Sequence, residues 1–110
     1  MSWDLDIEVT DIDGNTHRFE VIDSQTYNLT PMWSKALAFL DVTRDFDEKF
    51  CSDISAALKV GLIDIMENWD EYRKLEPDNG WGDLDGFFRA YVELTRNCLK
   101  YPSGKLVWAG

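Results

Sequence analysis

The sequence predicts an α+β fold in which a three-stranded, mainly antiparallel sheet is packed on one face by three or four helices. Three observations predict it: apolar and polar residues alternate near the N-terminus, apolar residues recur at three- and four-residue spacing further along, and a short apolar run closes the chain. A length of 110 residues suits one domain, so residues 1–110 are expected to form a single acidic domain.

The sheet is predicted to be an N-terminal hairpin joined by a C-terminal strand. Residues 3–10 alternate between an apolar and an acidic face, and a second alternating run follows residues 11–15. Asp-Gly within that connection favours a tight hairpin turn. The run at 105–108 is short and apolar, is β-branched at Val107, and follows the last helix after a brief turn, so we expect it to return to the hairpin as the third strand.

A short helix is predicted after a polar loop at 23–28. Thr30 is expected to cap this helix, because its hydroxyl can accept a free backbone N–H, and Pro31 suits the first helical position. Residues 41–50 are charged and irregular, which indicates a connector.

The strongest helical pattern begins at Ser52, which is expected to be its N-cap. Gly61 lies within the apolar face and predicts close approach by another backbone or a bulky ring. Val60 and Ile63 widen that face, which favours coverage of the helix on more than one side. The pattern restarts near residues 68–70 and is expected to end at Pro77.

The stretch 76–86 is interpreted as either a helix junction or a site. Asp83 is predicted to cap the last helix, and Glu76 is predicted to be a solvated turn residue. Trp81 lies between two glycines, which favours an indole laid across the helix ends as a seal. An exposed recognition ring is the alternative.

The sequence lacks the residues that several kinds of catalytic and metal site require. His17 is the only histidine and is predicted to be a partly buried neutral ring, and Cys51 and Cys98 are predicted to be small buried apolar groups. The turn at 11–15 resembles the start of a calcium loop, but Thr16 replaces its glycine. No phosphate loop or nucleophile motif occurs. We therefore expect no cofactor and no metal, and a protein that is not an enzyme.

The charge distribution points to a protein partner. The formal net charge of −10 repels nucleic-acid phosphates and anionic membranes and favours a partner with a basic surface. Ladders of carboxylates that could imitate a phosphate backbone are predicted at Asp4, Asp6, Glu8, Asp45, Asp47 and Glu48. The N-terminus has neither the basic nor the apolar region of a secretion signal, so a cytoplasmic location is expected.

Two motifs carry a resemblance to other proteins. Tyr-Asn-Leu-Thr-Pro-Met-Trp at 27–33 and Asn-Gly-Trp-Gly-Asp at 79–83 resemble motifs of a group of small bacterial and phage proteins with no established activity. The resemblance implies a phage or bacterial cytoplasmic setting. If the motifs mark a site, it would comprise Tyr27, Asn28, Asn79, Trp81 and Asp83.

These observations favour a non-enzymatic inhibitor of the phage type, a DNA mimic that binds the basic surface of a nucleic-acid-binding protein. A small-ligand pocket or minor enzyme near Tyr27, Asn28 and Trp81 is the first alternative. A structural or assembly component is the second.

Overall fold

The computed structural model describes residues 1–38, 40–42 and 44–110 and confirms the α+β fold. The strands are β1 (Ser2–Thr10), β2 (Thr16–Thr26) and β3 (Lys105–Ala109). The helices are α1 (Thr30–Ala36), α2 (Cys51–Glu67), α3 (Trp69–Arg73) and α4 (Leu84–Lys100). Within the described ranges, the helices are all too short or too polar to cross a membrane.

The sheet has the strand order β2-β1-β3, and both pairings are antiparallel. The predicted return of the C-terminal strand to the hairpin is therefore confirmed. Alternate residues of β1, namely Trp3, Leu5 and Ile7, are fully buried against the helices. The intervening acidic residues of β1 lie on the opposite, partly exposed face, as the alternation predicts.

The hairpin turn is held by one aspartate. Asp11 Oδ1 accepts hydrogen bonds from the backbone N–H groups of Asp13 and Asn15, each at 2.9 Å, and Gly14 adopts φ +83°. The prediction of a partly buried His17 is wrong. Its side chain is 60% exposed, with Nε2 2.7 Å from Asp11 Oδ2, because β2 extends beyond the helices near the turn.

The second strand is longer and less regular than predicted. The segment at 23–28 was expected to be a loop, but β2 continues to Thr26 and a 3-10 turn follows at Tyr27–Leu29. The register shifts between Trp3 and Asp6, and Ser24 has φ +52°. Asp4 Oδ1 accepts the Ser24 N–H at 2.7 Å, so a bulge with a side-chain acceptor replaces the expected loop.

Two predicted helix caps are wrong. Thr30 already has helical dihedrals, because the 3-10 turn leads directly into α1, and its hydroxyl has no hydrogen-bond partner among the described residues. Ser52 is the second residue of α2, and its N–H donates to the carbonyl of Pro102. Asp53 instead accepts the Phe50 N–H at 3.0 Å. Tertiary contacts with the turn at 102–104 therefore satisfy the first free N–H groups of α2, those of Cys51 and Ser52.

The predicted close approach at Gly61 is confirmed. A Cβ at this position would collide with Tyr91 Oη and lie 2.7 Å from the carbonyl oxygen of Ala36. The Tyr91 hydroxyl donates to the carbonyl of Leu58 at 2.8 Å. The absence of a side chain therefore lets α4 and α1 meet α2 closely. Coverage on more than one side is not found, since Val60 and Ile63 are 68% and 56% exposed.

The helical pattern breaks near Asn68 as predicted, with α2 ending at Glu67 and α3 beginning at Trp69. Tyr72 on α3 donates its hydroxyl to Asp64 Oδ2 at 2.5 Å and ties the two helices together. The expected end at Pro77 is wrong, because α3 stops at Arg73 and a turn intervenes. Cys51 and Cys98 are buried free thiols, as predicted.

Candidate interaction surface and groove

The outer face of the sheet carries a cluster of four carboxylates. Asp4 and Asp6 come from β1, and the sheet register adds Glu20, which pairs directly with Asp6. The bulge in β2 brings in Asp23, so that single carboxylate oxygens of Asp4, Glu20 and Asp23 all lie within 4.8 Å of one another. We call these four residues the acidic cluster. Exposed carboxylates are common at this spacing without an ion, so the arrangement by itself assigns no metal.

The acidic cluster is not neutralised by neighbouring cations. Within the part of the chain that the structure describes, none of its members forms an ion pair with lysine or arginine. Glu8, the third residue of the predicted ladder, differs because Arg18 Nη2 lies 3.1 Å from its Oε2. The ladder on β1 therefore becomes electrostatically mixed towards the hairpin turn and stays purely negative towards the other end.

Repulsion within the cluster raises the pKa of Glu20. The largest cause is the charge of Asp23, followed by desolvation and then by the charges of Asp4 and Asp6. Bringing these side chains together thus works against folding whenever all of them are ionised. A surface that keeps such repulsion is suited to meeting an external positive charge.

This repulsion predicts a pH dependence of stability. The folded protein holds the Glu20 proton more tightly than the unfolded chain, so the free energy of unfolding should fall as pH rises through the raised pKa. Glu20→Gln should remove this part of the dependence and raise the melting temperature at neutral pH. Thermal unfolding monitored by circular dichroism from about pH 4 to about pH 7 measures it. Asp13→Asn in the hairpin turn is the matched control, and an equal effect of both substitutions would contradict the prediction.

The second predicted acidic run lies elsewhere and takes part in local structure. Asp45 Oδ2 accepts the Asp41 N–H at 2.8 Å, and Asp47 Oδ1 accepts the Trp108 N–H at 2.9 Å. Glu48 adopts φ +69° and donates its N–H to the carbonyl of Leu106. Asp47 and Glu48 thus adjoin β3, on the side of β1 away from β2, and do not extend the acidic cluster.

A groove of about 610 Å³ runs between β2 and α4, next to the acidic cluster. One wall consists of the consecutive residues 21–26 of β2. The other wall consists of residues at three- or four-residue spacing, namely Asp83, Gly86, Ala90 and Glu93, with Arg89 beside them. Gly80 and Gly82 close one end, and Leu29 contributes an apolar surface. Asp23 belongs to both the acidic cluster and this groove.

The segment before α4 shapes the end of the groove. The prediction that Trp81 seals the helix ends is wrong, since the residue is 66% exposed. Gly80 and Gly82 have φ +77° and +103°, and a Cβ on Gly82 would lie 2.8 Å from Thr26 and 2.9 Å from Leu29. Thr26 and Leu29 therefore lie close to the Gly82 backbone, and the indole of Trp81 stays exposed.

Polar contacts hold this segment in place. Asp83 Oδ1 accepts the Gly86 N–H at 2.7 Å, which confirms the predicted cap of α4. Glu76 is not a solvated turn residue, because its Oε2 accepts the Leu84 N–H at 2.9 Å and its Oε1 lies 3.1 Å from Arg73 Nη1. The Asn79 side chain accepts the Trp81 N–H at 2.9 Å. The segment is thus a structured helix junction that also borders a groove.

The two sequence motifs meet at this end of the groove, although not through all the predicted residues. Thr26 and Leu29 touch Gly82, so the turn before α1 adjoins the turn before α4. Asp83 lines the groove, whereas Tyr27 and Asn28 do not. The Asn28 side chain instead donates to Thr26 Oγ1 at 3.1 Å.

Two polar side chains along the groove lack partners. Gln25 is only 7% exposed, and its carboxamide makes no hydrogen bond to any residue that the structure describes. Its polar atoms are not among the fully buried, unpaired side-chain atoms of the described residues, so they stay accessible from the groove. Arg89 is exposed and forms no ion pair within the same described ranges. The groove therefore offers an amide donor and acceptor, one cation and several carboxylates to a binding partner.

Comparison with protein-family models, curated proteins and solved structures finds no match to this chain. The resemblance to small bacterial and phage proteins therefore stays a prediction.

Sequence reasoning missed Glu20, Asp23 and Gln25. Glu20 could have been predicted from the sequence, because a tight turn at 11–15 sets the register of the hairpin and places Glu20 opposite Asp6. Asp23 and Gln25 could not have been predicted, because their positions depend on the bulge at Ser24, and no glycine in the sequence indicates that bulge.

Proposed function

We propose that this protein is a non-enzymatic acidic interaction domain that binds a basic surface of a nucleic-acid-binding protein. The observation that carries the proposal is the acidic cluster of Asp4, Asp6, Glu20 and Asp23, which has no lysine or arginine partner among the described residues. Cationic side chains of a partner would relieve the repulsion that raises the pKa of Glu20. Binding would then block the surface that otherwise contacts phosphate groups, as an inhibitor does.

The net charge also favours a basic partner, because it increases the rate at which such a partner encounters the protein. A charge of −10 steers a basic partner towards the protein and disfavours direct contact with nucleic acid. The acidic cluster then provides a local target, with carboxylates spaced along two neighbouring strands. Long-range attraction and local pairing both weaken with salt, because a Debye length is about 8 Å at physiological ionic strength.

The test separates the acidic cluster from overall charge. Asp6→Asn with Glu20→Gln removes two charges from the cluster, while Asp13→Asn with Asp70→Asn removes two charges elsewhere, so both variants carry −10 + 2 = −8. Protamine, a basic DNA-binding protein, serves as the probe, and isothermal titration calorimetry gives its affinity at low and physiological salt. We expect the cluster variant to bind at least about tenfold more weakly than the control variant, since each lost close pair is worth about 1 kcal/mol or more.

A competition assay completes the test. Wild-type protein should release duplex DNA from protamine at lower concentration than the cluster variant does. Equal affinities of the two −8 variants, or binding that is unchanged by salt, would overturn the proposal. A ligand pocket near Tyr27, Asn28 and Trp81 and a role in assembly stay predictions.

A further inference from the structure

We infer that the groove between β2 and α4 binds an extended peptide segment of the partner, which adds a strand to the free edge of β2 and carries alternating basic and apolar residues. This inference rests on the proposed function and specifies how the partner is held.

The two edges of the sheet differ in a way that favours β2. The outer edge of β3 is covered, because Glu48 donates to the carbonyl of Leu106 at 2.8 Å and Leu106 donates to the carbonyl of Lys49 at 2.7 Å. Backbone hydrogen bonds of β2, by contrast, reach only β1 in the ranges that the structure describes. An edge strand with unpaired backbone groups is a template for another strand.

The groove exposes this edge directly. Six consecutive residues of β2, 21–26, line it. Alternate side chains of a regular strand point to opposite faces, and the bulge at Ser24 changes that alternation locally, so these six residues place the groove beside the edge of β2. The backbone groups of β2 at this edge can therefore form hydrogen bonds with the main chain of a segment in the groove.

The dimensions match an extended segment. The β2 wall is about 20 Å long at roughly 3.3 Å per residue. The α4 wall from Asp83 to Glu93 is about 15 Å long at roughly 1.5 Å per residue. Gly86 and Ala90, the small residues in the middle of this wall, leave room for side chains of the incoming strand. A groove walled by six residues of a strand and by a helix suits an extended peptide better than a compact ligand.

The charges define which segment fits. Glu20 and Asp23 lie on the outer face beside the edge, so alternate side chains of an added strand would meet carboxylates. The other side chains would face the groove, where Leu29 and Ala90 offer apolar contacts and Asp83 and Glu93 border them. The unpaired carboxamide of Gln25 can donate to and accept from a peptide backbone.

The same charges disfavour a second copy of this chain. Pairing of β2 with β2 of another molecule would bring two acidic clusters together, and like charges across a strand pair are destabilising. A basic segment instead converts this repulsion into attraction. The bulge at Ser24 interrupts the regular ladder, so an added strand can pair with β2 only on either side of it.

The test uses a fluorescent short peptide of alternating lysine and valine, with fluorescence anisotropy as the readout. N-methylation of the alternate amides that face the strand edge removes hydrogen-bond donors and leaves the peptide's charge unchanged. We expect the methylated peptide to bind at least about tenfold more weakly. The protein is identical in both measurements, so protein folding cannot affect the comparison.

A protein variant provides the second arm. Ala90→Trp should fill the groove and weaken binding of the unmodified peptide by at least about tenfold. Ala56→Trp on the exposed surface of α2 is the matched control and should leave binding unchanged. Equal binding of methylated and unmodified peptides would overturn the inference. If binding is lost in Asp6→Asn/Glu20→Gln but survives both N-methylation and Ala90→Trp, the groove is excluded and the proposed function stands. If the unmodified peptide does not bind while protamine still does, the inference fails and the proposed function stands.

Discussion

Trp33→Ala is expected to lower the free energy of unfolding by about 3–5 kcal/mol, the range for removing a large buried aromatic side chain. Trp33 is fully buried at the centre of the aromatic core. Its ring lies 5.6 Å from that of Trp3, 5.1 Å from that of Phe87 and 5.4 Å from that of Tyr91. It therefore joins the sheet, α1 and α4, and its loss opens a cavity between all three. Urea unfolding monitored by circular dichroism measures the change.

Trp81→Ala is the matched control for this prediction. The same side chain is removed, but from a site where it is 66% exposed, so the expected change is within about 0.5 kcal/mol. Trp33→Phe should cost less than Trp33→Ala, because it keeps a ring and removes an indole N–H that has no partner among the described residues. Similar losses for Trp33→Ala and Trp81→Ala would contradict this account of the core.

Gly61→Ala is expected to destabilise the protein by about 3 kcal/mol and to lower its melting temperature by about 10–20 °C. The added methyl group would displace the Tyr91 hydroxyl from the carbonyl of Leu58 and press on the carbonyl of Ala36. Overpacking and the lost hydrogen bond each cost about 1–3 kcal/mol. The better helix propensity of alanine returns only about 1 kcal/mol.

A double-mutant cycle isolates the cause of this effect. Tyr91→Phe removes the hydroxyl that the new methyl group would meet, so Gly61→Ala should be less costly in that background. Differential scanning calorimetry of the four proteins in the cycle gives the coupling. Additive effects of the two substitutions would show that the collision with Tyr91 is not the reason for the glycine.

The two faces and the free edge of the β1–β2 hairpin have different roles. The inner face of β1 anchors the core, the outer face presents the acidic cluster, and the edge of β2 borders the groove. Because Asp23 belongs to both the cluster and the groove, a basic segment could engage both at once. Trp81 lies exposed between the glycines at the groove's end, where an aromatic ring could contact such a segment.

Prediction from the sequence succeeded where the signal is local and periodic. Alternation along residues 3–10 determined which side chains of β1 are buried, and helical spacing located α2 and α4. Gly61 correctly predicted that another part of the chain packs closely against α2, although the pattern could not identify Tyr91 as that neighbour. Asp83 was correctly predicted as a cap because capping involves only a residue and the N–H groups that follow it.

Prediction failed where a backbone group has two possible partners. The N–H groups at the start of α2 bond to the turn at 102–104, which is distant in sequence, and Ser52 is therefore not needed as a cap. Glu76 reaches Leu84 across the junction, and Leu29 lies close to the Gly82 backbone while Trp81 stays exposed. These contacts join residues that are distant in sequence, so a local sequence pattern cannot predict them.

By itself, then, the sequence determined the fold class, the order of strands and helices, the buried face of β1 and the negative charge of the surface. Those properties follow from residue periodicity and composition, which are local or additive. Only the tertiary structure decided which carboxylates form a cluster, that a groove borders the β2 edge, and that Trp81 is exposed. These depend on a bulge and on which residues distant in sequence meet in the folded chain and share hydrogen bonds.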